Sequence, residues 1–126
     1  MHSLDRRFGC RVPLEMFLNE YVKDRAHRAL TANISESGIY LNRVAALSEA
    51  SSAIVGLEFE LPGTGETIWA SGQVCHDSVD EYFHGQGVRF VGIARMHARL
   101  LRDYCIERRS SKLRELLRRL RINRYH

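Results

Sequence analysis

A chain of 126 residues has room for one domain with a genuine hydrophobic core. Its 44% hydrophobic and 27% charged content is ordinary for a globular protein, and no apolar run approaches the roughly 20 residues that cross a bilayer as a helix. The net charge of +4 is unevenly placed: residues 106–126 hold eight Lys/Arg against Glu107 and Glu115, whereas residues 1–105 are slightly acidic, which excludes a generally basic, polyanion-coating protein.

Cys10, Cys75 and Cys105 are odd in number and widely spaced, which suits a reducing cytoplasm better than a disulfide framework. The charged N-terminus lacks the apolar segment of a signal peptide, so the expected location is cytoplasmic.

From Val12 onward the pattern is strand-like, with Val12, Leu14, Met16 and Leu18 on one face and Glu15, Phe17 and Asn19 on the other. Lys23-Asp24 predicts a turn and Arg25 to Asn33 the returning strand. Ile39-Tyr40-Leu41 predicts a third strand after Gly38, and Val55, Leu57, Phe59 and Leu61 alternate in a fourth. Pro62-Gly63-Thr64-Gly65 is the clearest turn signal. Ile68 to His76 predicts a fifth strand, with Gly72 a bulge or close-approach position, Asp77 to Glu81 an acidic loop, and Tyr82 to Val91 a sixth strand. Short strands at hairpin spacing predict a mostly β fold, a closed or nearly closed six-stranded antiparallel barrel that hides its edges.

After Gly92 the period becomes helical. Met96, Leu100, Leu101 and Tyr104 form one stripe, which lapses through Glu107 to Ser111 and resumes at Leu113, Leu116, Leu117 and Leu120. The expectation is a C-terminal helix packed on the barrel, as one or two helical segments with a bend near Ser110. Residues 1–105 would then form the barrel, its N-terminal segment and packing helix, and residues 106–126 a basic amphipathic tail. Three readings of that tail stand open: leucines docked on the barrel or on a second copy, an acidic partner protein, or nucleic acid or anionic lipid, the last being the least favoured.

Arg6-Arg7-Phe8-Gly9-Cys10-Arg11 and Asn33-Ile34-Ser35-Glu36-Ser37-Gly38 carry the chemistry. Guanidinium groups bind phosphates and the N7/O6 edge of guanine by paired hydrogen bonds and stack on purines. Taken singly, Arg7-x-x-x-Arg11 is a solvated charge cluster and the Asn/Ser/Gly run a turn. In this order and spacing the chain resembles the PilZ family of cyclic di-GMP receptors, which carry RxxxR ahead of the first barrel strand and (D/N)xSxxG at the end of the second. Gly87-Val88-Arg89-Phe90 is similar to the family's last barrel strand.

The resemblance implies a six-stranded barrel with a C-terminal helix. It also implies that Arg7 and Arg11 grip the phosphates and Hoogsteen edges of cyclic di-GMP while Asn33 and Ser35 contact a guanine. Gly38 would provide a positive φ angle or room for close approach. Arg6, just before the motif, is placed to bias binding toward an intercalated pair of nucleotides. His76 stands near the place where many relatives carry a large aromatic on the fifth strand; Trp69 reads as a packing residue. The implied function is a cyclic di-GMP receptor that regulates a partner protein in motility, adhesion or exopolysaccharide output. The alternative is a degenerate member acting without nucleotide.

No HExxH, GxSxG, GK[ST] phosphate loop or dinucleotide glycine signature occurs, and the six histidines lack metal-ligand spacing. The expectation is therefore a binding protein with no catalytic residues, metal or cofactor, and with a second copy of itself as an open partner.

Overall fold

The structure, a computed structural model, describes residues 11–44, 54–79 and 83–124. Six antiparallel strands close into a barrel: β2 (Phe17–Val22), β3 (Arg25–Ile34), β4 (Gly38–Val44), β5 (Ile54–Leu61), β6 (Glu66–Val79) and β7 (Phe83–Ile93). Their neighbour order is β3-β2-β5-β6-β7-β4, and β4 returns to pair with β3. A two-residue strand, β1 (Val12–Pro13), lies outside the ring on β3.

Local chemistry sets this path. Lys23 and Asp24 both have positive φ (52° and 65°) and close a two-residue hairpin between Val22 and Arg25, whose twist matches that of the strands it joins. At the far end of that hairpin the run expected as one strand from Val12 divides. The buried Thr31 hydroxyl donates to Leu14 O at 2.5 Å and accepts from Met16 N at 3.0 Å, so a side chain stands where a ladder bond would. At the same point β3 shifts register against β4, between Thr31 and Asn33. In the Pro62–Gly65 turn, Thr64 N and its hydroxyl both donate to Leu61 O, and Gly63 and Gly65 take φ of 80° and 71°.

The alternating apolar residues of β5 face inward, and Leu57 and Leu61 are wholly buried. The bulge expected at Gly72 lies instead on the facing strand: Ser71 and Gly72 pair with Gly92 and Phe90, so Val91 of β7 is the extra residue. A Cβ on Gly72 would come within 2.3 Å of Val88 Cγ1, so close approach is the role of this glycine. Residues Asp77 to Val79, expected in a loop, continue β6 and pair with β7 as far as His84. Ladder bonds are made by backbone, so polar side chains do not end a strand whose partner continues.

Three polar residues share the barrel interior. Glu20 on β2, Arg43 on β4 and Gln86 on β7 are each at most 2% exposed. Arg43 Nε lies 3.2 Å from Glu20 Oε1. In the amide orientation that satisfies both neighbours, Gln86 donates to Glu20 Oε2 and accepts from Arg43 Nη2, each at 2.8 Å.

Among the described residues there is one helix, α1 (Arg95–Arg124), unbroken for 30 residues. The bend expected near Ser110 is absent. The lapse in the apolar stripe removes packing partners but not the i to i−4 backbone bonds; an ion pair of Glu107 with Arg114 spans that stretch, and Glu115 pairs with Arg118 and Arg119 just beyond it. The helix is anchored through its first turns: Leu101 and Cys105 are buried, Leu100 and Tyr104 pack partly against the core, and burial raises the Tyr104 phenol above its ordinary pKa. The Cys105 thiol points at Ile34 O, 3.9 Å away, which seats the helix against the end of β3. No described helix is long and apolar enough to cross a membrane.

Candidate functional site

The predicted residues gather where β1, the end of β3 and the start of β4 meet. Pro13 pairs with Asn33, and this places Arg11 beside the end of β3. There the Arg11 guanidinium donates to Asn33 Oδ1. That bond uses the amide's acceptor and leaves its two N–H donors without a partner among the described residues. Arg11 is exposed and Asn33 half-buried, so both are within reach of solvent. Arg6 and Arg7 lie outside the described residues.

Ser35 is 1% exposed. Its hydroxyl accepts from the amides of Ser37 and Gly38, each at 3.2 Å, while Ser35 N donates to Gly38 O at 2.8 Å. The hydroxyl therefore closes the turn between β3 and β4, the local geometry for which serine is suited. Gly38 does not take a positive φ. A Cβ there would stand 2.5 Å from Val88 O, so the glycine lets β4 approach the β7 backbone. The bond from Phe90 N to Ser37 O, 2.9 Å, fastens the turn to β7.

These elements frame a depression of 470 Å³ on the barrel's outer surface. Arg11, Tyr40, Cys75 and Arg89 line it together with Gly38 and Gly87. Arg89 is held by a 2.9 Å bond from its Nη2 to Gln73 Oε1. His76 is opposite Gly87 in the register, beside Cys75, which places its backbone at this site. Trp69 lies elsewhere, on the outer face of β6, stacked on Tyr21 with ring centroids 6.2 Å apart. Tyr21 in turn donates to Glu58 at 2.8 Å, a bond that holds its phenol above the ordinary pKa.

Arg89, Tyr40 and Cys75 line this depression, although none had been singled out as a site residue. The available signal was period-2 alternation from Gly38 to Tyr40 and from Gly87 to Arg89. It becomes informative only with the long-range register that sets Gly38 against Arg89 and Tyr40 against Gly87. Chemically, the surface offers two guanidinium groups and a phenol, with the amide N–H donors of Asn33 beside Arg11. It presents no group of three or more His, Cys, Asp or Glu among the described residues that could hold a metal.

Comparison with solved structures finds this fold repeatedly. One match is an inhibitor of motility from Bacillus subtilis, MotI/DgrA, at a TM-score of 0.73 and 24% identity over 81% of this chain and 50% of that one. Another is the Borreliella burgdorferi PlzA protein, solved in complex with c-di-GMP, at a TM-score of 0.54 and 17% identity over 75% of this chain and 38% of that one. This chain thus spans half or less of the length of either. A search of curated proteins finds no matching relative. The family described as PilZ domain matches residues 5–107, which include both motifs, every barrel strand and the anchored part of α1. With the closed barrel and the paired Arg11 and Asn33 in place, the chain belongs to the PilZ domain family.

Proposed function

We propose that this PilZ domain binds cyclic di-GMP over the depression at Arg11 and conveys its presence to another protein. The observation that supports this best is the bond of Arg11 to Asn33 beside a 470 Å³ depression that Arg11 and Arg89 both line. Two guanidinium groups suit a ligand with phosphates and guanine edges, and the amide hydrogens of Asn33 match guanine O6 or N7 as acceptors. Arg7 joins Arg11 on the phosphates, Arg6 favours a stacked nucleotide pair, and His76 borders the ligand from β6. Ser35 acts by shaping the turn that places Asn33 and Gly38, and Gly38 by letting β4 and β7 lie close enough to form a continuous floor. The output is control of motility, adhesion or exopolysaccharide production through a partner, with the basic end of α1 as the surface presented to it.

Equilibrium binding tests the base recognition. Cyclic di-GMP is expected to bind and cyclic di-AMP to compete poorly, because adenine places a donor where guanine has O6. Arg89→Ala is expected to weaken cyclic di-GMP roughly tenfold, the loss of one paired contact. Equal competition by the two nucleotides would remove the guanine reading.

A further inference from the structure

Beyond Cys105, α1 leaves the barrel with an apolar seam that stays exposed among the described residues. Ile106, Arg109, Leu113, Leu116 and Leu120 recur at alternating intervals of three and four, the spacing of a helix that packs along another helix. Leu117 widens the seam. Its aliphatic members are between 42% and 64% exposed, so the leucines do not dock on their own barrel. One side of the seam is walled by β1. Between them runs a groove of 470 Å³ with Val12, Pro13, Leu113 and Leu116 as its apolar lining. Among the described residues its charged lining is all of one sign: Arg11, Arg108, Arg109 and Lys112. Arg108, Arg109 and Lys112 have no carboxylate partner among the described residues; the helix's Glu107 pairs with Arg114, and Glu115 with Arg118 and Arg119.

We propose that this groove docks an acidic amphipathic helix of a partner protein. Apolar side chains of that helix would fill the seam, and carboxylates would meet Arg109, Arg108 and Lys112. A second copy of this chain fits poorly, since each tail over residues 106–126 carries eight cations against two carboxylates. Insertion into a lipid surface would take Arg109, a member of the seam itself, into the apolar layer. An acidic helix satisfies the same arginine with a charged hydrogen bond, and a charged seam residue also fixes register and partner choice.

Arg11 lines both this groove and the depression described above. A nucleotide that recruits Arg11 withdraws one cation from the groove's rim. This link rests on the nucleotide reading, whereas docking itself does not.

The test is fluorescence anisotropy of a synthetic helical peptide of about three heptads, with leucine at the seam and glutamate on its flanks, titrated with the full chain. Saturable binding is expected, weakened about tenfold or more by Leu113→Ser with Leu116→Ser, both surface changes that leave the fold intact. Arg109→Glu is expected to lose the glutamate peptide and to regain binding with a peptide carrying lysine opposite it. No saturable binding by folded protein would overturn the proposal. So would self-association through the same leucines in sedimentation velocity, or binding to phosphatidylglycerol vesicles that the same substitutions abolish while the peptide stays unbound. Saturating cyclic di-GMP is expected to raise the peptide Kd several-fold. An unchanged Kd with nucleotide demonstrably bound removes the link and leaves docking intact. Absence of nucleotide binding counts against the receptor reading alone.

Discussion

Arg43→Met is expected to destabilise the fold by about 3–5 kcal/mol, read as a fall in the urea midpoint with little change in slope. Arg43, Glu20 and Gln86 are buried together inside the barrel, and Glu20 faces Arg43 Nε at 3.2 Å. Removing the guanidinium takes from a buried carboxylate its countercharge, which the uncharged Gln86 amide does not replace. Replacing all three, with Glu20→Leu, Arg43→Met and Gln86→Leu, is expected to cost far less than the single change, because no charge is then left stranded. A triple variant that loses as much as Arg43→Met would show that shape, not charge pairing, holds that layer. Against a total stability of roughly 5–15 kcal/mol for a domain of this kind, the single substitution alone can populate unfolded protein.

Gly38→Val is the second large effect expected, and it joins the fold to the site. The added Cβ would meet Val88 O at 2.5 Å, and a backbone carbonyl inside a ladder cannot turn aside as the end of a side chain can. Either β4 separates from β7 or the turn from Ser35 to Gly38 reorganises. Overpacking of this kind costs about 1–3 kcal/mol. Nucleotide affinity should fall further than stability suggests, since Gly38 and Arg89 are register partners across the floor of the depression. Gly63→Ala is the contrasting change: nothing lies within 4 Å of its Cβ position, so its cost comes only from a φ of 80°, and cyclic di-GMP binding should be untouched. Calorimetry and urea unfolding of both variants check this. Equal loss of affinity in the two would refute a local role for Gly38.

Much of the barrel was legible because alternation and turn chemistry agree. The inward residues of β5, the Lys23-Asp24 hairpin and the turn at Pro62 follow from side-chain period and from positive φ. What escaped depends on partners far along the chain. The single strand expected from Val12 divides because Thr31, on another strand, bonds Leu14 and Met16. Asp77 to Val79 look like a loop but are held extended by β7. A gap in the stripe at Glu107 to Ser111 resembles a hinge, although a helix projecting from its domain needs no apolar face there. Glu20 lies two residues from both Leu18 and Val22, so alternation already turns it inward; nothing local says that Arg43 and Gln86 meet it.

The candidate site divides along the same line. Arg11 and Asn33 were legible as a pair of motifs, and the fold brings them into contact. Ser35 and Gly38 were legible as positions, while their structural work, closing the β3–β4 turn and admitting β7 alongside β4, depends on how the chain folds around them. Arg89 is an ordinary strand arginine until the register places it across from Gly38.

Isothermal titration calorimetry with cyclic di-GMP, on the chain and on its Arg7→Ala/Arg11→Ala variant, tests the central claim most directly. Saturable heat with the unaltered chain and its loss in a variant that remains folded is the predicted result, with a stoichiometry of two nucleotides per chain if Arg6 favours the stacked pair. No heat with folded protein, or binding that the double substitution leaves unchanged, would contradict it.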